Sequence, residues 1–147
     1  MPISLSPQLM RQIIMDHYDH PQFKHAPKEG ETYELVHMSS ANCIDDITIY
    51  VKEENGLVKE CFFDGVACTI STASTDIMCS LMLGKKYDEA KNIIEQYNHM
   101  IHEEPYDEEV LDEAIVFMNT SKQAARIKCA TIGWDAMNQI LERRYGK

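Results

Sequence analysis

The residues of this sequence best suited to chemistry are its five cysteines, Cys43, Cys61, Cys68, Cys79 and Cys129. An odd count in a chain of 147 residues does not make a disulfide framework. In a reducing setting, spaced cysteines serve metal binding or catalysis more often than structural bridging. Three of them fall at or near the ends of expected elements. Cys43 lies at the mouth of a strand in Asn42-Cys43-Ile44-Asp45-Asp46, Cys68 where a strand gives way to a helix, and Cys129 in the first turns of the last helix. The start of one hairpin strand lies beside the end of its partner, so Cys43 and Cys68 are expected close together. Cys68 also precedes a helix N-terminus, whose partial positive charge favours the thiolate. Asp45 stands two residues past Cys43, and residues i and i+2 of a strand share a face. Three thiolates and one carboxylate form a four-donor set of the kind tetrahedral Zn2+ takes, while thiolates equally suit iron–sulfur clusters. No Cys-x-x-Cys pair is present, so spacing alone leaves three buried small hydrophobic residues as an equal alternative.

The remaining candidates read as structural. Cys61 stands in a strand beside Phe62 and Phe63, Cys79 lies inside a helical run, and buried thiols are common in cores. His17 and His20, and again His99 and His102, are three residues apart on helices. Such pairs without a third ligand nearby read as solvated faces. The balance of 14 Lys+Arg against 24 Asp+Glu, a formal charge of −10, opposes nucleic-acid binding, which calls for a basic stripe. The N-terminus carries no basic region leading into an apolar stretch, and no window approaches the roughly 18 apolar residues of a membrane span. A soluble, cytoplasmic protein with no membrane partner is expected.

Stepping along the chain, Leu9, Met10, Ile13, Ile14 and Tyr18 recur at helical spacing from Pro7 to about Asp19, with Ser6 as N-cap and Pro7 at the first helical position. Tyr33 to Ser39 and Ile44 to Glu53 alternate as strands, with Ile47, Ile49 and Val51 on one side. Asn55-Gly56 marks a tight hairpin into a third strand, Leu57 to Ala67. The second half is helical: Ile70 to Leu81 closed by Gly84, Tyr87 to Ile101, Asp107 to Met118, and Ser121 to Tyr145 with Arg143, Arg144 and Gly146 at its end. Strands followed by helices predict an α+β fold, a three-stranded antiparallel sheet covered by helices, with an N-terminal helix and a helical C-terminal half.

Four segments resemble the NifU/IscU-type family of iron–sulfur cluster assembly proteins, in particular its SufU branch. Leu9 to Tyr18 with His20-Pro21 is similar to the family's N-terminal helix and its Asn-Pro exit. Asn42-Cys43-Ile44-Asp45 stands in the place of the family's Cys-Gly-Asp motif. Gly65-Val66-Ala67-Cys68-Thr69-Ile70-Ser71-Thr72-Ala73-Ser74 resembles the second cysteine motif, and Arg126-Ile127-Lys128-Cys129-Ala130-Thr131-Ile132-Gly133-Trp134 the third in its SufU form. The resemblance spans residues 1–147 as a single NifU N-terminal/IscU-like domain with a SufE/IscU-like fold. One departure is Ile44 in place of glycine, because a β-branched residue resists the φ > 0 that glycine tolerates. Ile44 is therefore expected in extended geometry or in an altered loop, with Asp46 as the neighbour that could substitute for Asp45.

The resemblance implies a metal held by Cys43, Asp45, Cys68 and Cys129, with Zn2+ as occupant and an iron–sulfur cluster as the alternative. It implies a zinc-dependent sulfurtransferase that accepts persulfide sulfur from a SufS-type cysteine desulfurase and serves a downstream iron–sulfur scaffold. Cys43 would be the acceptor thiolate, and Cys129, beside Arg126 and Lys128, a second candidate. Housekeeping scaffolds of the family carry a histidine before the third cysteine and a Leu-Pro-Pro-Val-Lys segment. Here Lys128 fills that place, no such segment occurs, and a long acidic stretch including Glu103 to Glu109 separates the second and third cysteines, as in SufU-type proteins. The competing expectations are a scaffold carrying a transient [2Fe–2S] or [4Fe–4S] cluster, and a relative whose zinc is purely structural.

Overall fold

A computed structural model describes residues 6–39 and 44–145. Helix α1 spans Pro7–Asp19, and the Ser6 hydroxyl accepts the Leu9 N–H at 3.1 Å, which satisfies one of the orphan donors at a helix start. Strands β1 (Glu34–Ser39), β2 (Asp46–Glu54) and β3 (Leu57–Val66) pair antiparallel in the order β1-β2-β3. Asn55 and Gly56 both take positive φ, at 57° and 78°, as a two-residue hairpin turn of matching twist requires. Ile47, Ile49 and Val51 all point into the core. Helices α2 (Thr69–Met82), α3 (Tyr87–Ile101), α4 (Glu108–Leu111) and α5 (Ala124–Tyr145) follow. The fold is α+β, a three-stranded antiparallel sheet covered by helices. Among the described residues, no helix is long and apolar enough to cross a membrane.

Helix α2 is the hub. Every residue from Ser71 to Cys79 is buried, including Ser71, Thr72, Ser74, Thr75 and Asp76. Burial at that depth disfavours polar groups unless they are hydrogen-bonded. Most of them are: Thr72 donates to the Ala67 carbonyl, Ser74 to the Ala130 carbonyl, and Asp76 accepts the Phe23 N–H at 2.8 Å. Cys61 and Cys79 both sit in this core. Burial, together with a hydrogen bond to Cys61, pushes the Cys79 thiol well above its usual range, which removes it from nucleophilic chemistry.

Three expectations are corrected. The helix expected over Asp107 to Met118 is instead the single turn α4, a break at Asp112 with φ 45°, and a 3-10 helix over Asp112–Phe117. Leu111, Ala114, Ile115, Val116 and Phe117 are all buried in the core. A second 3-10 turn, Thr120–Lys122, precedes α5, so that helix begins at Ala124 rather than Ser121. His17 is not on a solvated face: it is half-buried, with Nδ1 2.6 Å from the Asp76 carboxylate and Nε2 2.9 Å from Glu113. Of the apolar residues at helical spacing in α1, only Met10 is buried, while Leu9 and Tyr18 are exposed. Gly146, expected to end α5, lies outside the described residues.

Candidate metal centre

Asp45 does not lie within β2 but immediately before it, after a bend at Ile44. The strand argument that placed residues 43 and 45 on one face therefore does not apply. The Ile44 side chain, in the place of the family's glycine, is exposed to solvent. The Asp45 carboxylate is 2% exposed. Its Oδ1 accepts the Cys68 N–H at 2.9 Å and its Oδ2 accepts the Ser71 hydroxyl. Asp46, by contrast, is exposed and pairs with His37.

Cys68 is the N-cap of α2, and its Sγ accepts the Ser71 N–H at 3.5 Å. Cys129 projects from the second turn of α5 and is 5% exposed. A carboxylate oxygen of Asp45 and the sulfurs of Cys68 and Cys129 lie within 4.8 Å of one another. Two residues that are 23 and 84 positions from Asp45 thus meet it in one pocket. Cys43, two residues before Asp45 in the chain, lies outside the described residues.

Two glycines make the convergence possible. Gly65 near the end of β3 takes φ 123°, and a Cβ there would sit 2.1 Å from the Asp46 carbonyl oxygen. No other residue lets β3 press that close to the start of β2 and so carry Cys68 alongside Asp45. Gly133 lies one helical turn beyond Cys129 on the same face of α5, and a Cβ there would be 2.3 Å from Thr75 Oγ1. Its absence lets α5 rest directly on α2. The same contact is fastened by polar bonds: Ser74 and Tyr97 both donate to the Ala130 carbonyl, at 2.6 Å and 2.7 Å, and Trp134 Nε1 donates to Ser74. The Tyr97 and Trp134 rings stack at 3.7 Å, and burial raises the Tyr97 hydroxyl above its usual range. The turn bearing Cys129 is thereby held to α2 and α3.

Sequence reasoning assigned no role to Gly65, Ser71, Ser74, Tyr97 or Gly133. Gly65, Ser71, Ser74 and Gly133 stand inside the second and third cysteine motifs, and that placement was the available signal. Tyr97 had only its helical spacing, which reads as core. A cavity of about 500 Å³ opens beside Cys68, with Arg11, Ile14, Ile70, Gln123 and Arg126 among its walls. It puts two cationic side chains at the rim of the thiol site in an otherwise acidic chain.

Residues 9–143 match the family described as the NifU-like N terminal domain. The chain is 32% identical over 94% of its length to the zinc-dependent sulfurtransferase SufU of Bacillus subtilis, covering 92% of that protein. It is 31% identical over 97% of its length to the iron-sulfur cluster assembly scaffold protein IscU of Streptococcus pyogenes, covering 89% of it. Among solved structures, it resembles a putative iron-sulfur cluster assembly scaffold protein for the SUF system from Fervidobacterium islandicum. That likeness has a TM-score of 0.80 at 26% identity, over 88% of this chain and 94% of that one. With the sheet order, the helical cover and two cysteine motifs meeting at one pocket, this chain belongs to the NifU-like N-terminal domain family.

Proposed function

We propose that this protein is a zinc-dependent sulfurtransferase that takes persulfide sulfur from a SufS-type cysteine desulfurase and delivers it to a downstream iron–sulfur scaffold in the cytoplasm. In this reading residues 1–147 act as one domain. The observation that carries it is the convergence of Asp45, Cys68 and Cys129 within 4.8 Å, in a chain related to a protein named for that activity. The donor set fits zinc, since two sulfurs and one carboxylate oxygen match its preferred ligands and Cys43 completes a tetrahedral count. Zinc held there would keep its cysteine ligands as thiolates at neutral pH.

The chain's own residues carry out the transfer. Cys43 is the acceptor: its thiolate attacks the outer sulfur of the desulfurase persulfide. A new S–S bond forms on Cys43 as the S–S bond to the desulfurase cysteine breaks, and that cysteine leaves as a thiolate. The exchange is balanced without an outside oxidant or reductant. Asp45 and Cys68 are fixed to each other by the Cys68 N–H, so the pocket keeps its form while Cys43 reacts. Lys128, where scaffolds carry a histidine, supports transfer over cluster building. The name of the Streptococcus relative supports the second reading, a scaffold for a transient iron–sulfur cluster.

Cysteine desulfurase turnover with and without the protein tests the proposal. Wild type is expected to stimulate turnover, and Cys43→Ala to lose that stimulation while the protein still folds. No stimulation by wild type with its cognate desulfurase would sink the transferase reading. Protein purified without added iron is expected to hold one zinc, whereas a brown protein with visible sulfur-to-iron bands would favour the scaffold.

A further inference from the structure

We infer that Ser71 is the positioning residue of the metal pocket, fixing the plane of the Asp45 carboxylate so that its free lone pairs face Cys68 and Cys129. The inference rests on the metal reading above. Ser71 occupies the third position of α2, is fully buried, and touches two of the groups proposed as ligands, Asp45 and Cys68. Its hydroxyl donates to Asp45 Oδ2, its backbone N–H donates to Cys68 Sγ at 3.5 Å, and Cys68 Sγ lies 3.3 Å from its Oγ.

The other oxygen of Asp45 is held independently by the Cys68 N–H at 2.9 Å. A carboxylate gripped at one oxygen can still swing about its Cβ–Cγ bond. Gripped at both, from a helix N-cap and from the third residue of the same helix, it cannot. Among the described residues each oxygen accepts one hydrogen bond and each has two lone pairs, so the double hold orients the group without exhausting it. A neighbouring hydroxyl supplies the contrast. Thr72, next along α2 and equally buried, donates to the Ala67 carbonyl and so serves the backbone of the strand-to-helix turn. Ser71 instead reaches out of the helix to the carboxylate. Partners that orient a metal's ligands in this way are commonly worth about 10- to 100-fold in metal affinity.

Zinc affinity of the full chain, measured by competition with a chromophoric chelator, tests the assignment, together with the visible bands of the Co2+-substituted protein. Ser71→Ala is expected to weaken zinc binding about 10- to 100-fold and to change the Co2+ bands. Thr72→Ala, which removes a buried hydroxyl from the same turn, is expected to lower the melting temperature of the metal-free protein while leaving zinc affinity within about threefold of wild type. Ser71→Thr and Ser71→Val form a pair of nearly equal shape that differs in the hydroxyl, so Thr is expected to bind zinc at least tenfold more tightly than Val. Wild-type affinity and unaltered Co2+ bands in Ser71→Ala, or equal affinities in the Thr and Val pair, would overturn the role of Ser71. A wild-type protein that takes up no stoichiometric zinc would instead overturn the metal reading itself.

Discussion

The smallest changes expected to disturb the pocket are single carbon atoms. Adding a Cβ at Gly133 brings it within 2.3 Å of Thr75 Oγ1 and 2.9 Å of Thr75 Cγ2, and Thr75 is fully buried. Alanine is the better helix former by about 1 kcal/mol, but overpacking a closed core costs about 1–3 kcal/mol, and here the contact is with a β-branched side chain. The clash is expected to win. Gly133→Ala should lose about 1–2 kcal/mol in urea unfolding, and adding Thr75→Ala should restore most of it, because the two positions share one contact. A double variant no more stable than Gly133→Ala alone would mean that the α2–α5 approach is not what this glycine serves. Glycine at this point of α5 cannot be justified from helical periodicity, since its reason lies 58 residues away.

At the scale of elements, α1 is held by polar contacts as much as by apolar ones. Its central apolar residues Ile13 and Ile14 are half-buried, and His17 ties it to α2 through Asp76 and to the 3-10 helix through Glu113. The hydrogen bond to Asp76 raises the His17 pKa above its ordinary 6.5, with Glu113 adding to the rise and burial opposing it. A raised folded-state pKa stabilises the fold while histidine is protonated, below about 6.5, and that contribution is lost as pH climbs through the folded value. The advantage of wild type over His17→Gln should therefore be largest near pH 6, on the order of 1–2 kcal/mol, and should shrink by about pH 9. Urea unfolding at the two pH values checks this, and a gap that widens with pH would refute the clamp. The elements themselves were unevenly legible. The strands and α3 followed from alternation and helical spacing, and the Asn55-Gly56 turn from two residues. The segment from Asp107 to Met118 carries helix-compatible residues throughout. Neither its break at Asp112 nor the burial of Leu111 and of Ala114 to Phe117 on either side of it left a mark in that pattern.

Across the whole molecule, the candidate centre joins three stretches that are far apart in the chain: the approach to β2, the N-terminus of α2 and the second turn of α5. A metal bound there would act as a crosslink between the approach to β2 and helices α2 and α5. Anything that binds only the folded form stabilises it by mass action, about 4 kcal/mol at a thousandfold excess over Kd. For a chain of this size that corresponds to a rise in Tm of roughly 10 °C. Stripping zinc with a strong chelator should lower the calorimetric Tm by that order, and re-adding zinc should restore it. Identical melting with and without the metal would argue that no metal links these three segments.

The sequence by itself determined the three strands, the helices α1, α2, α3 and α5, and the cysteine motifs that place this chain in its family, because alternation, helical spacing and turn residues act between near neighbours. It also separated Cys61 and Cys79 from the reactive candidates by their apolar surroundings. Only the tertiary structure decided which carboxylate joins Cys68 and Cys129, why Gly65 and Gly133 carry no side chain, and that His17 is a clamp. Each of those depends on a contact between distant positions. Such contacts form only when β3 closes against β2 and α5 settles on α2, and local patterning carries no record of them.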